Sequence, residues 1–192
     1  DEPSQGGALR LDVHHLPAGQ RATAQKQTVT PPSSPSGARR FAPWLIGLAT
    51  VGADQLTKWL IDRCFMPGES LPLMPSVLHL TYVQNRGAAF GLFQGRQMLF
   101  IVLALGIIAL LVRELAFRPS ASRAVRWGCA LVLGGAAGNL LDRLRFGYVV
   151  DFIDLRVWPV FNVGDSAITV GVTLLILHSL FAGRQSQVAG HK

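Results

Sequence analysis

Met98-Leu99-Phe100-Ile101-Val102-Leu103-Ala104-Leu105-Gly106-Ile107-Ile108-Ala109-Leu110-Leu111-Val112 runs for fifteen residues without one polar side chain. A helix at the surface of a soluble protein shows a polar face; one that is apolar all round lies in a large core or in lipid. Crossing a hydrocarbon core of ~30 Å takes roughly 20 helical residues, which this run reaches with its flanks. Three more apolar segments share the pattern: Phe41–Ile61, broken by Asp54 and Lys58; Trp127–Leu141, carrying Asn139; and about Val163–Ala182, with Asp165 near its start. The reading is a single all-α membrane domain with four transmembrane helices at about 41–62, 97–116, 125–142 and 163–183, spanning residues 41–184 of the 192.

Composition agrees. Hydrophobic residues make up 49% and charged residues 15%, against ~25% charged in ordinary soluble domains. The net charge of +7 does not mark a nucleic-acid binder, because the basic residues fall between the apolar runs and are not interleaved with aromatic ones. Residues 1–40 are rich in Pro, Ser, Gly, Gln and Ala, lack an apolar h-region, and read as a disordered tail. Residues 185–192 read as a second, short tail.

Lys/Arg placement orients the chain. Eleven of the 18 basic residues, among them Arg39, Arg40, Arg113, Arg118, Arg123 and Arg126, fall on the side that holds both termini, which predicts cytoplasmic termini. The opposite side holds seven acids: Asp54, Asp62, Glu69, Asp142, Asp151, Asp154 and Asp165. There the segment 64–96 includes Leu78-His79-Leu80-Thr81-Tyr82-Val83, an alternating stretch that predicts a short strand above the membrane interface. In the third apolar segment, Gly134-Gly135-Ala136-Ala137-Gly138 offers a small-residue face for close helix packing.

Polar groups inside a membrane cost free energy and usually mark function. Here they converge on the outer face: Asp54 and Lys58, Asn85 and Arg86, Asn139, Asp142 and Arg143, Asp151 and Asp154, Asn162 and Asp165. Several also have a structural reading. Asp54 and Lys58 form an i,i+4 pair, Asp142 and Arg143 anchor a helix end, Asp165 serves as a helix N-cap, and Asp62 and Asp154 are solvated. Cys64 and Cys129 are read as unpaired, and no Cys/His grouping has zinc-ligand spacing. No Ser or Cys stands with a partner His in a pattern for acyl-enzyme chemistry. Two carboxylates held close suffice for hydrolysis, because they cannot both ionise: one keeps a proton while the other acts as base. Three rivals remain. A proton-coupled transporter would carry its charges at mid-membrane, within an internal repeat. A structural subunit would use the polar set for partner contacts. A Mg²⁺-dependent lipid phosphotransferase would be sensitive to chelators.

Five stretches in order resemble the lipoprotein signal peptidases (signal peptidase II): Asp54-Gln55-Leu56-Thr57-Lys58, Asn85-Arg86-Gly87-Ala88-Ala89-Phe90-Gly91, Gly135-Ala136-Ala137-Gly138-Asn139-Leu140-Leu141-Asp142-Arg143, Val149-Val150-Asp151-Phe152-Ile153-Asp154 and Phe161-Asn162-Val163-Gly164-Asp165-Ser166. The resemblance implies four helices with a small periplasmic β-cradle, in the bacterial cytoplasmic (inner) membrane. It implies an aspartyl endopeptidase with Asp151 and Asp165 as catalytic dyad, supported by Asp54, Lys58, Asn85, Asn139, Asp142, Arg143 and Asn162, with no metal and no cofactor. The implied substrate is a prolipoprotein carrying diacylglyceryl on its lipobox cysteine, cut just before that cysteine; the implied inhibitor is the cyclic peptide globomycin. Two departures stand out. Gly164 replaces the family's usual Ala, which loosens the backbone, and the Asp151–Asp165 connection is short, which trims the lid over the site.

Overall fold

The computed structural model describes residues 37–87, 97–118 and 122–189, with side chains from 41 to 181. The expected tail at 1–36, and Ala88–Gly91 of the second motif, lie outside the described residues. The chain runs α1 (Gly37–Cys64), β1 (Ser70–Met74), β2 (Leu78–Asn85), α2 (Gln97–Phe117), α3 (Arg123–Phe146), β3 (Val149–Asp154) and α4 (Val163–Ala189). It is mostly helical, with one small antiparallel sheet in the order β1-β2-β3.

Three of these helices are long and apolar enough to cross a membrane: Gln97–Phe117, Arg123–Phe146 and Val163–Phe181. In α1, Asp54, Lys58, Asp62 and Arg63 dilute the apolar character. The helices overrun the apolar stretches. Residues 37–40 belong to α1 and not to a tail, and α4 continues through polar residues to Ala189, past the expected start of the second tail. Hydropathy marks where lipid would begin, whereas backbone hydrogen bonding continues until something stops it. For α3 that stop is Gly147 in the left-handed region (φ 81°), whose N–H returns to the Arg143 carbonyl.

α3 is the central post, touching α1, α2 and α4. Most of its apolar stretch is buried, whereas α2 is largely exposed and turns Met98, Val102, Leu105 and Leu110 outward. Small residues on α3 are what allow this. A Cβ on Gly134 would stand 2.7 Å from the Gly47 carbonyl of α1, and one on Gly128 would stand 2.9 Å from the Gly171 carbonyl of α4. At Gly135 it would collide with the Gly164 carbonyl, and at Gly138 with the Asp54 carboxylate. The glycines therefore let backbones touch on two sides of α3.

The sheet sits at the end of the bundle where α1 and α3 finish and α4 begins. Ile61 of α1 packs with Tyr82, Val150 and Phe152, and the Tyr82 hydroxyl donates to Asp62 Oδ1 at 2.7 Å. The alternating stretch at Leu78–Val83 is β2, with His79 in it, but two further strands flank it. Pro72 hides β1 by interrupting its pattern, which an edge strand tolerates. An irregularity between Leu80 and Val83 shifts the register so that Val83 faces Asp151 and Asn85 faces Val149. Cys64 and Cys129 are both free thiols.

Gly135→Ala tests the packing. The Gly164 backbone cannot yield as a flexible side chain would, so thermal unfolding in detergent should show a loss of about 1–3 kcal/mol. Gly106→Ala, with nothing within 4 Å of the added carbon, should stay within about 1 kcal/mol of the parent.

Candidate active site

Asn162 precedes α4 as its N-cap, and Asp165 is the third residue of the helix. The Asp165 N–H donates to Asn162 Oδ1 at 2.9 Å, and the Asn162 N–H donates back to Asp165 Oδ2 at 3.3 Å. This is a capping box, so Asp165 is not itself the N-cap. The reciprocal pair leaves Asp165 Oδ1 to accept from Asn139 Nδ2 at 2.8 Å.

Asp151 arrives from the sheet. Its Oδ1 accepts from Asn162 Nδ2 at 2.7 Å and its Oδ2 from Asn85 Nδ2 at 2.8 Å. Asn162 Nδ2 also donates to Asn139 Oδ1 at 3.1 Å. One asparagine thus joins both aspartates, and Asn139 closes the circuit. Asp151 and Asp165 line a recess of about 220 Å³ with Asn85, Asn139, Arg143 and Phe100; the segment Trp158–Phe161 forms another wall. Burial, then the neighbouring Asp165 charge, push the Asp151 carboxyl up to about 7 despite the amides of Asn85 and Asn162 and the charge of Lys58.

Beneath the recess Lys58 is buried between two helices. Its Nζ lies 2.8 Å from Asp54 Oδ2, 2.8 Å from Asp142 Oδ2 and 2.7 Å from Asn139 Oδ1, which satisfies all three of its donors. Asp54 Oδ1 accepts the Gly164 N–H at 2.8 Å and Asp142 Oδ2 the Val150 N–H at 3.2 Å, tying α4 and β3 to this charge cluster. The i,i+4 pair of Asp54 and Lys58 exists, but it reaches well beyond α1. Gly164 is held rather than loosened: a Cβ there would lie 3.0 Å from Asp54 Oδ1 and 3.1 Å from the Gly135 carbonyl. Arg143 lays its guanidinium 5.1 Å from the centre of the Phe100 ring, in the recess wall.

Asp154 departs from the expectations, as Asp165 and Gly164 do, and two groups were missed. Asp154 is not solvated; it is 6% exposed and fully bonded. Asp62 is exposed, as expected, and also accepts from Tyr82. Gln55 was missed although it lies inside the first motif; its amide donates to Asp142 Oδ1 at 2.8 Å and to the Gly138 carbonyl at 3.2 Å. The Trp158–Phe161 wall carried no periodicity to reveal it. Among the described residues, no three His, Cys, Asp or Glu side chains are grouped as a metal site requires.

The family model described as signal peptidase (SPase) II matches residues 46–181, which include every group in this network. The chain belongs to the signal peptidase II family. It is 46% identical over 144 residues to the lipoprotein signal peptidase of Moorella thermoacetica, covering 74% of this chain and 96% of that relative. It is 46% identical over 135 residues to that of Halothermothrix orenii, covering 70% and 92%. A solved bacterial membrane enzyme superposes with a TM-score of 0.69 at 34% identity, over 72% of this chain and 87% of that one. The buried polar cluster therefore sits in the part of the chain shared with its relatives.

Lys58→Met tests the charge cluster. It would leave Asp54 and Asp142 buried without their cation, and losing one partner of a buried pair costs about 3–5 kcal/mol. Thermal unfolding in detergent should show that loss; an unchanged midpoint would mean the lysine is dispensable to the fold.

Proposed function

We propose that this chain removes signal peptides from prolipoproteins as an intramembrane aspartyl endopeptidase, with Asp151 and Asp165 as its catalytic dyad. The observation that carries the proposal is the Asn162 side chain, which bonds Asp151 through Nδ2 and Asp165 through Oδ1 and so holds both at one recess. The relatives' name supports the reaction.

The carboxyl of Asp151, raised to about 7, holds the shared proton at rest. It donates a hydrogen bond to the scissile carbonyl oxygen. The Asp165 carboxylate takes a proton from water, and the hydroxide oxygen attacks the carbonyl carbon as the Asp151 proton passes to the carbonyl oxygen. In the second half, Asp165 gives its proton to the leaving nitrogen, the C–N bond breaks, and a hydroxyl of the diol returns its proton to Asp151. Atoms and protons balance with water alone, and no metal or cofactor enters. Arg143 adds positive charge to the recess where the oxygen becomes electron-rich. Asn85, Asn139 and Asn162 fix the two carboxyls, while Asp54, Lys58 and Asp142 brace Asn139 and the helix ends.

The substrate is a prolipoprotein with a diacylglyceryl-modified cysteine, cut just before that cysteine, and globomycin competes for the recess. α1 is the fourth span: its mid-helix ions Asp54 and Lys58 point into the bundle and are paired there. Both termini are cytoplasmic, in the bacterial inner membrane, and the sheet and recess lie at the outer, periplasmic face, where substrate arrives from the lipid.

A processing assay with purified, correctly inserted Asp151→Asn and Asp165→Asn tests the dyad. Each should lose about 10²–10⁴ in rate; full activity in either variant rejects it. The pH profile follows from the raised pKa: below it Asp151 keeps its proton, above it the acid is lost, so kcat/KM should fall as pH rises through about 7. A chelator should leave the rate unchanged; its abolition would favour metal-dependent chemistry instead.

A further inference from the structure

Asp154 is an acid at the end of β3 that has no place in the dyad chemistry, yet it is buried. Its Oδ1 accepts the Arg156 backbone N–H at 2.8 Å; its Oδ2 accepts Thr81 Oγ1 at 2.8 Å and Arg156 Nη1 at 3.2 Å. Thr81 is in turn 2.8 Å from Ser70 Oγ, which roots the carboxylate in the β1–β2 hairpin. Burial pulls the Asp154 carboxyl upward, but the bonds from Arg156 and Thr81 win and hold it below the usual carboxylate range, so it stays an acceptor at working pH. An aspartate bonding the N–H two residues on makes an Asx-turn, and Arg156 within it has φ 65°. Non-glycine residues enter that left-handed region mainly where local hydrogen bonds fix them there.

The residues after this turn form one side of the recess. Val157 stands almost fully exposed, and Trp158, Pro159, Val160 and Phe161 line the same recess as Asp151 and Asp165. The far end is pinned by backbone bonds: Phe161 N–H to the Ile153 carbonyl, and the N–H groups of Phe152 and Ile153 to the Phe161 carbonyl, at 2.8–3.1 Å. Segment 155–161 is therefore a short arch, sewn to β3 at Phe161 and bent at the other end by Asp154.

We infer that Asp154 is a positioning residue: through the left-handed turn at Arg156 it holds residues 158–160 as a fixed wall against which the substrate's scissile segment is laid. The inference rests on the recess being the catalytic site, and it assigns the wall to binding and not to proton transfer. Asp154→Ala should then raise KM about fivefold, with kcat within about twofold and the fall in rate near pH 7 unmoved. Asp154→Asn should restore KM, since its amide oxygen still accepts the Arg156 N–H and its NH₂ can meet the Thr81 hydroxyl oxygen. The turn itself is isolated by comparing Arg156→Gly with Arg156→Val: both lack the guanidinium, but only glycine takes φ 65° without strain, so the valine variant should have the higher KM.

The assay uses the full chain in detergent with a diacylglyceryl-modified prolipoprotein, alongside trypsin nicking at the Arg156–Val157 bond in the Asp154 variants. Asp154→Ala should be nicked faster than the parent, and Asp154→Asn no faster. An unchanged KM in Asp154→Ala, equal KM in the two Arg156 variants, or a pH limb that moves with Asp154→Ala would each overturn the inference. Should the dyad reading itself fail, Asp151→Asn or Asp165→Asn would remain active, while the nicking rates would still report whether Asp154 holds the arch.

Discussion

The side-chain amide of Asn162 is wholly buried, and both its oxygen and its nitrogen are committed. Its oxygen caps α4 through the Asp165 N–H, and its nitrogen donates to Asp151 and to Asn139. A buried amide left unpaired costs free energy, so this one has a single acceptable orientation. That orientation fixes where the sheet, α3 and α4 meet. The placement of the two aspartates follows from this helix cap and from the side-chain bonds that extend it.

The charge cluster below serves the same geometry from the other side. Lys58, Asp54 and Asp142 are nearly inaccessible to solvent. Desolvating three ions is unfavourable, and replacing such a set by apolar residues is often neutral or better for stability. What the cluster supplies is placement. Lys58 orients Asn139, Asp54 takes the Gly164 N–H at the start of α4, and Asp142 takes the Val150 N–H beside Asp151. The glycines of α3 are the precondition, because a methyl group on Gly138 would occupy the space of the Asp54 carboxylate.

Much of this was legible in the sequence because it has period or composition: the uninterrupted run at Met98–Val112, the small residues of α3, the alternation at Leu78–Val83. The polar side chains of the site were legible too, since apolar surroundings make each conspicuous. The features that escaped depend on contacts between residues far apart in sequence. Asp154 looked solvated because nothing nearby in sequence announces Thr81 as its partner. Asp165 looked like an N-cap, when the asparagine three residues earlier takes that position. Gln55 passed unremarked, although its amide reaches Asp142 across two helices. β1 was hidden by Pro72, and the arch at 155–161 by having no periodicity at all.

Hydrolysis by the proposed dyad needs two carboxyl groups holding one proton between them near neutral pH. Isotope-edited infrared titration of the purified chain, subtracting the Asp151→Asn variant, reads that proton as the carbonyl stretch of a protonated aspartate. The stretch should persist above pH 5 and vanish with a midpoint near 7. A difference spectrum showing both aspartates ionised from pH 5 upward would contradict it.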